Sequence, residues 1–214
     1  MSMPTNSYAL LPLHRIAVLA SIDVVDTVRP EDLHLPTPCA GWNLVDLLAH
    51  MTVQHRGFAA AAGGSGADPE IWRPERVLAS VTADPAGAYA AAAHDVLDAF
   101  AADGTQDVEF ALPDFGPDAR VPGAMAMGFH FVDYAVHGWD VAAALNVPYS
   151  LPDDVVAGVL PLVLAVPDGD FRAAAGSPFG PAVESVGTDD FERILRHLGR
   201  RPDWRQAYST VTGA

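Results

Sequence analysis

Between Phe129 and Leu145 the chain reads FHFVDYAVHGWDVAAAL, and this stretch decides the fold class. Val132, Ala135 and Val136, with the rings of Phe129, Phe131 and Tyr134, make it apolar on most sides. A helix with so little polar surface belongs in the interior of a helical protein. The spacing predicts that it starts near Pro122 and runs to about Leu145, with Asn146 and Pro148 as stop signals. Within it Asp133 and His137 stand one helical turn apart, so both side chains leave the same face.

Upstream, a first helix is predicted from about Tyr8 to Val28, with Ile16, Leu19, Ile22 and Val25 on one face. Pro36, Pro38 and Gly41 mark an ordered loop. A second helix follows Asn43, a good N-cap, with Asp46 at its positive end and Leu44, Leu47, Leu48 and Met51 as its apolar stripe. It ends in Gly63-Gly64-Ser65-Gly66. Asp84-Pro85 opens a third helix and Gly104 closes it. Residues 107–112 alternate like a strand, which makes a short hairpin an option. Further helices are predicted over residues 153–166 and 189–198. The whole reads as a mainly all-α chain: an antiparallel four-helix bundle over about residues 8–146 and a helical extension over about 147–214, in a single domain.

The formal charge of −15 disfavours nucleic acid and anionic membranes, which both select for cationic surfaces. All 12 basic residues are Arg, and with the abundant Ala, Gly and Pro this suggests a GC-rich, actinobacterial type of genome. Cys39 is the single cysteine, so an internal disulfide and a Cys-rich zinc site are both ruled out. No signal peptide and no apolar run of the ~20 residues a membrane helix requires is visible, so a cytoplasmic location is expected. The sequence leaves the oligomeric state open, a homodimer included.

Of the eight histidines, His14, His94 and His197 sit among charged neighbours and are expected to be solvated. Asp133 and His137 can clamp one metal ion from one side, although an unmetallated surface pair has the same spacing. Their apolar helix favours a buried or cleft position, where an unpartnered ionisable group is costly. His50 lies in LLAHM beside core-facing Leu47, Leu48 and Met51. Each of the three could be a hydrogen-bonded core residue, but their convergence is better explained by one shared ion. His55 is expected to point away from that group. Trp42 and Trp139 read as packing residues. Cys39 has no basic group visibly placed to activate it and reads as a small buried residue.

Two segments, TPCAGWNLVDLLAHM (Thr37 to Met51) and VDYAVHGWDVAAAL (Val132 to Leu145), resemble the signatures of the DinB-like metal-binding superfamily. Within it the resemblance is to the branch typified by the N-terminal domain of mycothiol-dependent maleylpyruvate isomerase. The closing LGRRPDW (Leu198 to Trp204) is similar to the end of stand-alone actinobacterial members. The resemblance implies a four-helix bundle that holds one divalent ion through His50, Asp133 and His137. It differs at Asp133, where the isomerase has Glu. The residues after His137 are expected to be too few for the isomerase's second domain.

Two histidines and one carboxylate leave coordination positions open, the pattern of a catalytic site. Zn²⁺ suits this set; Ni²⁺, Fe²⁺ and Co²⁺ accept the same atoms. The resemblance implies mycothiol or a related low-molecular-weight thiol as cosubstrate, and a transferase or isomerase acting on a small-molecule electrophile. A metal-dependent hydrolase and a non-catalytic metal- or small-ligand-binding protein are the alternatives. His130 stands two turns before His137 and reads as a fourth ligand, a general base or a second-layer group, with a core histidine as the alternative. Asp140 is read as stabilising its helix, with acceptance of a proton from a ligand imidazole as the alternative.

Overall fold

The computed structural model describes residues 10–174, 177–184 and 187–205. Four long helices form the bundle: α1 (Leu10–Val25), α2 (Leu44–Ala62), α4 (Pro85–Ala101) and α5 (Gly123–Leu145), with the short α3 (Glu75–Ala83) between α2 and α4. Each long helix packs on two others, α1 and α2 both touching α4 and α5. His14 meets Phe100 while Ser21 meets Tyr89, so α1 and α4 run in opposite directions. His50 meets His137 while His55 meets His130, so α2 and α5 are also antiparallel. The pairs His55–Tyr89 and Phe58–Phe100 show α2 and α4 running the same way. That direction requires a return segment, which is supplied by α3 and the turn Pro69–Trp72 before it.

The expected helix signals operate. Asn43 Oδ1 accepts from the Asp46 amide at 3.0 Å and Asp46 Oδ2 from the Asn43 amide at 3.1 Å. This reciprocal cap contributes on the order of 1 kcal/mol. Asp84 caps α4 through the Gly87 amide at 2.9 Å. Asn146 ends α5 in the left-handed conformation, with φ 56. The strand-like stretch is β1 (Glu109–Ala111), paired antiparallel with β2 (Arg120–Pro122).

Two expectations need correction. The helix predicted from Tyr8 to Val28 spans Leu10–Val25, and Tyr8 itself lies outside the described residues. Its buried face is His14, Ala17, Val18, Ser21, Val24 and Val25. Ile16, Leu19 and Ile22 are only partly buried, flanking the axis while small Ala17 and Ser21 face it. The helix α3 was not expected at all; it buries only Val77 and Val81.

Beyond the bundle, α6 (Asp153–Leu164) packs on α1, α5 and α7 (Asp190–His197). Val155, Val159, Ile194, Leu195 and Leu198 meet Phe131 and Ala135 of α5 in one core. Buried Arg172 ties this region together by donating to the carbonyls of Pro167 at 2.8 Å and Val166 at 3.1 Å. His197 is not solvated as expected: its Nε2 is 2.9 Å from the Val166 carbonyl oxygen. No helix among the described residues is long and apolar enough to cross a membrane.

Candidate metal centre

The loop before α2 is an ordered clip. Thr37 Oγ1 accepts from the Cys39 amide at 3.2 Å and donates to the Trp42 carbonyl at 2.9 Å. Gly41 stands at φ 82, a left-handed conformation that a side chain strains. The clip presents Cys39 to α5 and Trp42 to His50, whose rings lie 5.0 Å apart. Trp42 is 38% exposed, so it lines an open surface and is not the packing residue expected. Trp139 does pack against the core shared by α5 and α6.

Asp133, His137 and Asp140 follow one another down one face of α5. Asp133 Oδ1 is 3.4 Å from His137 Nε2, and its Oδ2 is 3.8 Å from His50 Nε2. Metal bonds of about 2.0–2.2 Å at tetrahedral angles set neighbouring ligand atoms roughly 3.3–3.6 Å apart. The donor atoms of His50, Asp133 and His137 all lie within 4.8 Å of one another, so the set fits a Zn²⁺-like ion. The side chains of His50 and Asp133 are 24% and 22% exposed against 7% for His137, so the group opens to solvent on one side.

The other nitrogen of His137 faces inward. Its Nδ1–H donates to Asp140 Oδ2 at 2.9 Å, which leaves Nε2 free to ligate. Of the two readings for Asp140, the geometry matches acceptance of a ligand imidazole's proton. Arg200 then clamps Asp140, Nη2 to Oδ2 at 2.9 Å and Nε to Oδ1 at 3.4 Å, while Nη1 donates to the Leu198 carbonyl at 2.9 Å. Cys39 Sγ–H donates to Asp140 Oδ2 at 3.3 Å, and Arg200 Nη2 approaches the sulfur at 3.6 Å. A basic group therefore does stand beside Cys39, contrary to expectation. Cys39, His137 and Asp140 also lie close enough to ligate. However, Asp140 is held by Arg200 and His137 Nδ1 by Asp140, so these three support the first group.

Burial favours the neutral forms here, but the charges oppose it. Burial alone would raise Asp133, yet His137 and His50 hold it well below the usual carboxylate range. Burial would lower His137, yet Asp133, Asp140 and Cys39 raise it well above the ordinary imidazole value. Burial would likewise raise Asp140, but the Arg200 charge and His137 hold it at about 2. Gly138 follows His137 because the Tyr149 hydroxyl rests on it, where a Cβ would collide.

His130 does not join this group. It is fully buried, with Nδ1 2.8 Å from His14 Nε2 and Nε2 3.1 Å from His55 Nδ1. Both ring nitrogens are thus engaged within the core, which leaves none for a ligand or general base at the centre. His14 is 2% exposed, which corrects the expectation that it is solvated; His94 is exposed as expected. His55 is absent from the ligand group, as expected, and is buried beside Tyr134. Arg200 was missed because its partner lies 60 residues away in sequence. The signal available was an Arg pair directly after the turn glycine Gly199.

A family model described as the mycothiol maleylpyruvate isomerase N-terminal domain matches residues 15–142. Proteins from two strains of Mycobacterium tuberculosis, both described as uncharacterized, are each 32% identical over 169 residues, 79% of this chain and 85% of the relative. The crystal structure of the mycothiol-dependent maleylpyruvate isomerase superposes with a TM-score of 0.60 at 14% identity, over 92% of this chain and 91% of that one. At that identity the likeness is one of fold. The superposition covers most of both chains and so runs beyond His137 in this one. The matched 15–142 span more than half of the chain and include both helices that carry the centre. The chain therefore belongs to the mycothiol maleylpyruvate isomerase N-terminal domain family.

Proposed function

We propose that this chain is a metal-dependent enzyme that uses mycothiol or a related low-molecular-weight thiol to transfer to, or isomerise, a small electrophile. The supporting observation is the convergence of His50, Asp133 and His137 with one side open to solvent and the other backed by Asp140. His50, Asp133 and His137 would hold the ion. A divalent ion bound there supplies the Lewis acidity that lets a thiol ionise at neutral pH. Asp140 fixes the tautomer and orientation of His137, and Arg200 keeps Asp140 ionised. Cys39 donates its S–H to Asp140 and forms part of the wall; the nucleophilic sulfur belongs to the cosubstrate. We read the chain as one domain in which the extension completes the centre through Arg200.

The test combines elemental analysis with turnover. Wild-type protein is expected to carry about one divalent ion per chain, and His50→Ala and His137→Ala to carry almost none. Turnover of an electrophile panel should require both metal and thiol. Cys39→Ser should stay active, because a hydroxyl can donate the same bond to Asp140. Metal-dependent turnover without thiol would replace this reading with a hydrolase, and bound metal without turnover would leave a binding protein. Undiminished metal in both histidine variants would remove the centre altogether.

A further inference from the structure

The three candidate ligands are not held alike. Asp133 and His137 stand one turn apart on α5, so their own helix sets their spacing, 3.4 Å between Oδ1 and Nε2. His50 comes from α2, and its Nε2 lies 3.8 Å from Asp133 Oδ2. Its reach to a shared ion therefore depends on how closely α2 is held to α5. Metal–ligand bonds tolerate errors of only about 0.2 Å, so whatever fixes that spacing governs the affinity of the set.

The residues next in sequence fasten the two helices together. Tyr134 follows Asp133 on α5, and Met51 follows His50 on α2. The Tyr134 hydroxyl crosses between the helices and donates a hydrogen bond to the main-chain carbonyl of Met51. Tyr134 and Met51 are fully buried, whereas His50 and Asp133 are partly exposed. The contact between α2 and α5 thus has the ligand pair on its open side and the hydroxyl–carbonyl bond on its core side. A carbonyl in mid-helix moves only with its turn, being tied also to the amide four residues on, here that of His55. Holding it holds the turn that carries His50.

The Tyr134 ring is itself locked. It stacks on His55 with centroids 3.9 Å apart and on His130 at 4.2 Å. Those two rings are joined, His55 Nδ1 to His130 Nε2, at 3.1 Å, a second polar link from α2 to α5. Burial raises the Tyr134 hydroxyl well above its ordinary value, so it stays protonated and a donor. A side chain fixed by packing on both its ring and its hydroxyl is what holds a ligand set to within about 0.5 Å.

We propose that Tyr134 is a positioning residue for the metal centre: its bond to the Met51 carbonyl sets the spacing of α2 and α5, and with it the reach of His50 to the ion. Tyr134 is not itself a ligand, and its role rests on the reading of His50, Asp133 and His137 as ligands. It acts across the helix pair, whereas Asp140 acts on His137 from within α5.

Tyr134→Phe deletes the hydroxyl and keeps the ring with both its stacks, so the helical fold is retained. Zinc titration of the full chain against a competing chelator should show affinity about 10–100-fold below wild type, the usual cost of losing a partner just outside the ligand shell. With Co²⁺ in place of zinc, the visible absorption bands should shift or weaken, because they report ligand geometry. Val159→Ala is the control. It opens a cavity in the α6 core, which contains no residue of α2, and should lower the melting temperature at least as far. Its zinc affinity and cobalt spectrum should match wild type. Affinity and spectrum unchanged in Tyr134→Phe would overturn the positioning role and leave the centre standing. An equal loss in Val159→Ala would assign the effect to general loosening and overturn the role as well. A wild-type chain that takes up neither ion would remove the centre and the role of Tyr134 together.

Discussion

Asp140→Ala is expected to destabilise the fold by about 3–5 kcal/mol, the usual consequence of leaving one member of a buried ion pair alone. Asp140 has no side-chain exposure and Arg200 only 8%. Removing the carboxylate leaves the buried guanidinium without its ion-pair partner, beside Cys39 Sγ and the ring of Phe179. The depression of Asp140 from 3.8 to about 2 gives an independent scale of about 2–3 kcal/mol, the same order. That contribution is complete above the unfolded carboxylate value and is lost as the pH falls through the folded one. The double variant Asp140→Asn/Arg200→Gln removes both charges and should recover most of the stability. It should not recover metal affinity, expected to be about 10–100-fold weaker, because His137 has lost its charged acceptor. Denaturant melts paired with zinc titration read both quantities. An Asp140→Ala protein as stable as wild type would show that the pair carries no net stabilisation.

A second large effect should appear in mild acid. His14, His130 and His55 form a hydrogen-bonded line through the bundle centre, all 2% exposed or less. Burial holds all three below the ordinary imidazole value, His14 down to about 3, while the His14 charge also lowers His55 and the His14 and His55 charges lower His130. In the unfolded chain these groups take up protons near 6.5, whereas the folded chain resists. Stability is therefore complete above about 6.5 and declines by about 1.4 kcal/mol per pH unit for each histidine left neutral in the fold. For His14 the decline continues to about 3, an effect on the order of 4–5 kcal/mol in all. His137 runs the other way: its contribution is present below 6.5 and is lost as pH rises through its raised value. Asp133 and Asp140 begin to lose theirs only below 3.8, so the histidine line governs the interval between. Denaturant midpoints measured from about pH 7 to about pH 5 should fall steeply, and His14→Gln should make the slope shallower by about 1.4 kcal/mol per pH unit. A flat profile would falsify the neutral line.

What the sequence made legible was whatever local periodicity encodes. The ends of α2 and α5 follow from Asn43, Gly63 and Asn146, and the common face of Asp133 and His137 from helical spacing alone. The segment α3 escaped because a short helix with two buried residues leaves no periodic trace, and its proline-flanked start resembles a loop. The burial of His14 escaped because its charged neighbour Arg15 points outward while His14 points in. Arg200 and the exposed face of Trp42 depend on contacts between distant segments, and no spacing rule reaches that far. The loop that brings Phe115 to Phe129 belongs to the same class.

Arg200 follows Cys39 by 161 residues and Asp140 by 60. At a synthesis rate of roughly 5–20 residues per second, a ribosome makes Asp140 about 3–12 s before it makes Arg200. Throughout that interval Asp140, the carboxylate behind His137, stays without its ion-pair partner, until Arg200 arrives. Order of synthesis thus sets the pairing of Asp140 after the bundle helices, and a chain interrupted between Asp140 and Arg200 lacks it.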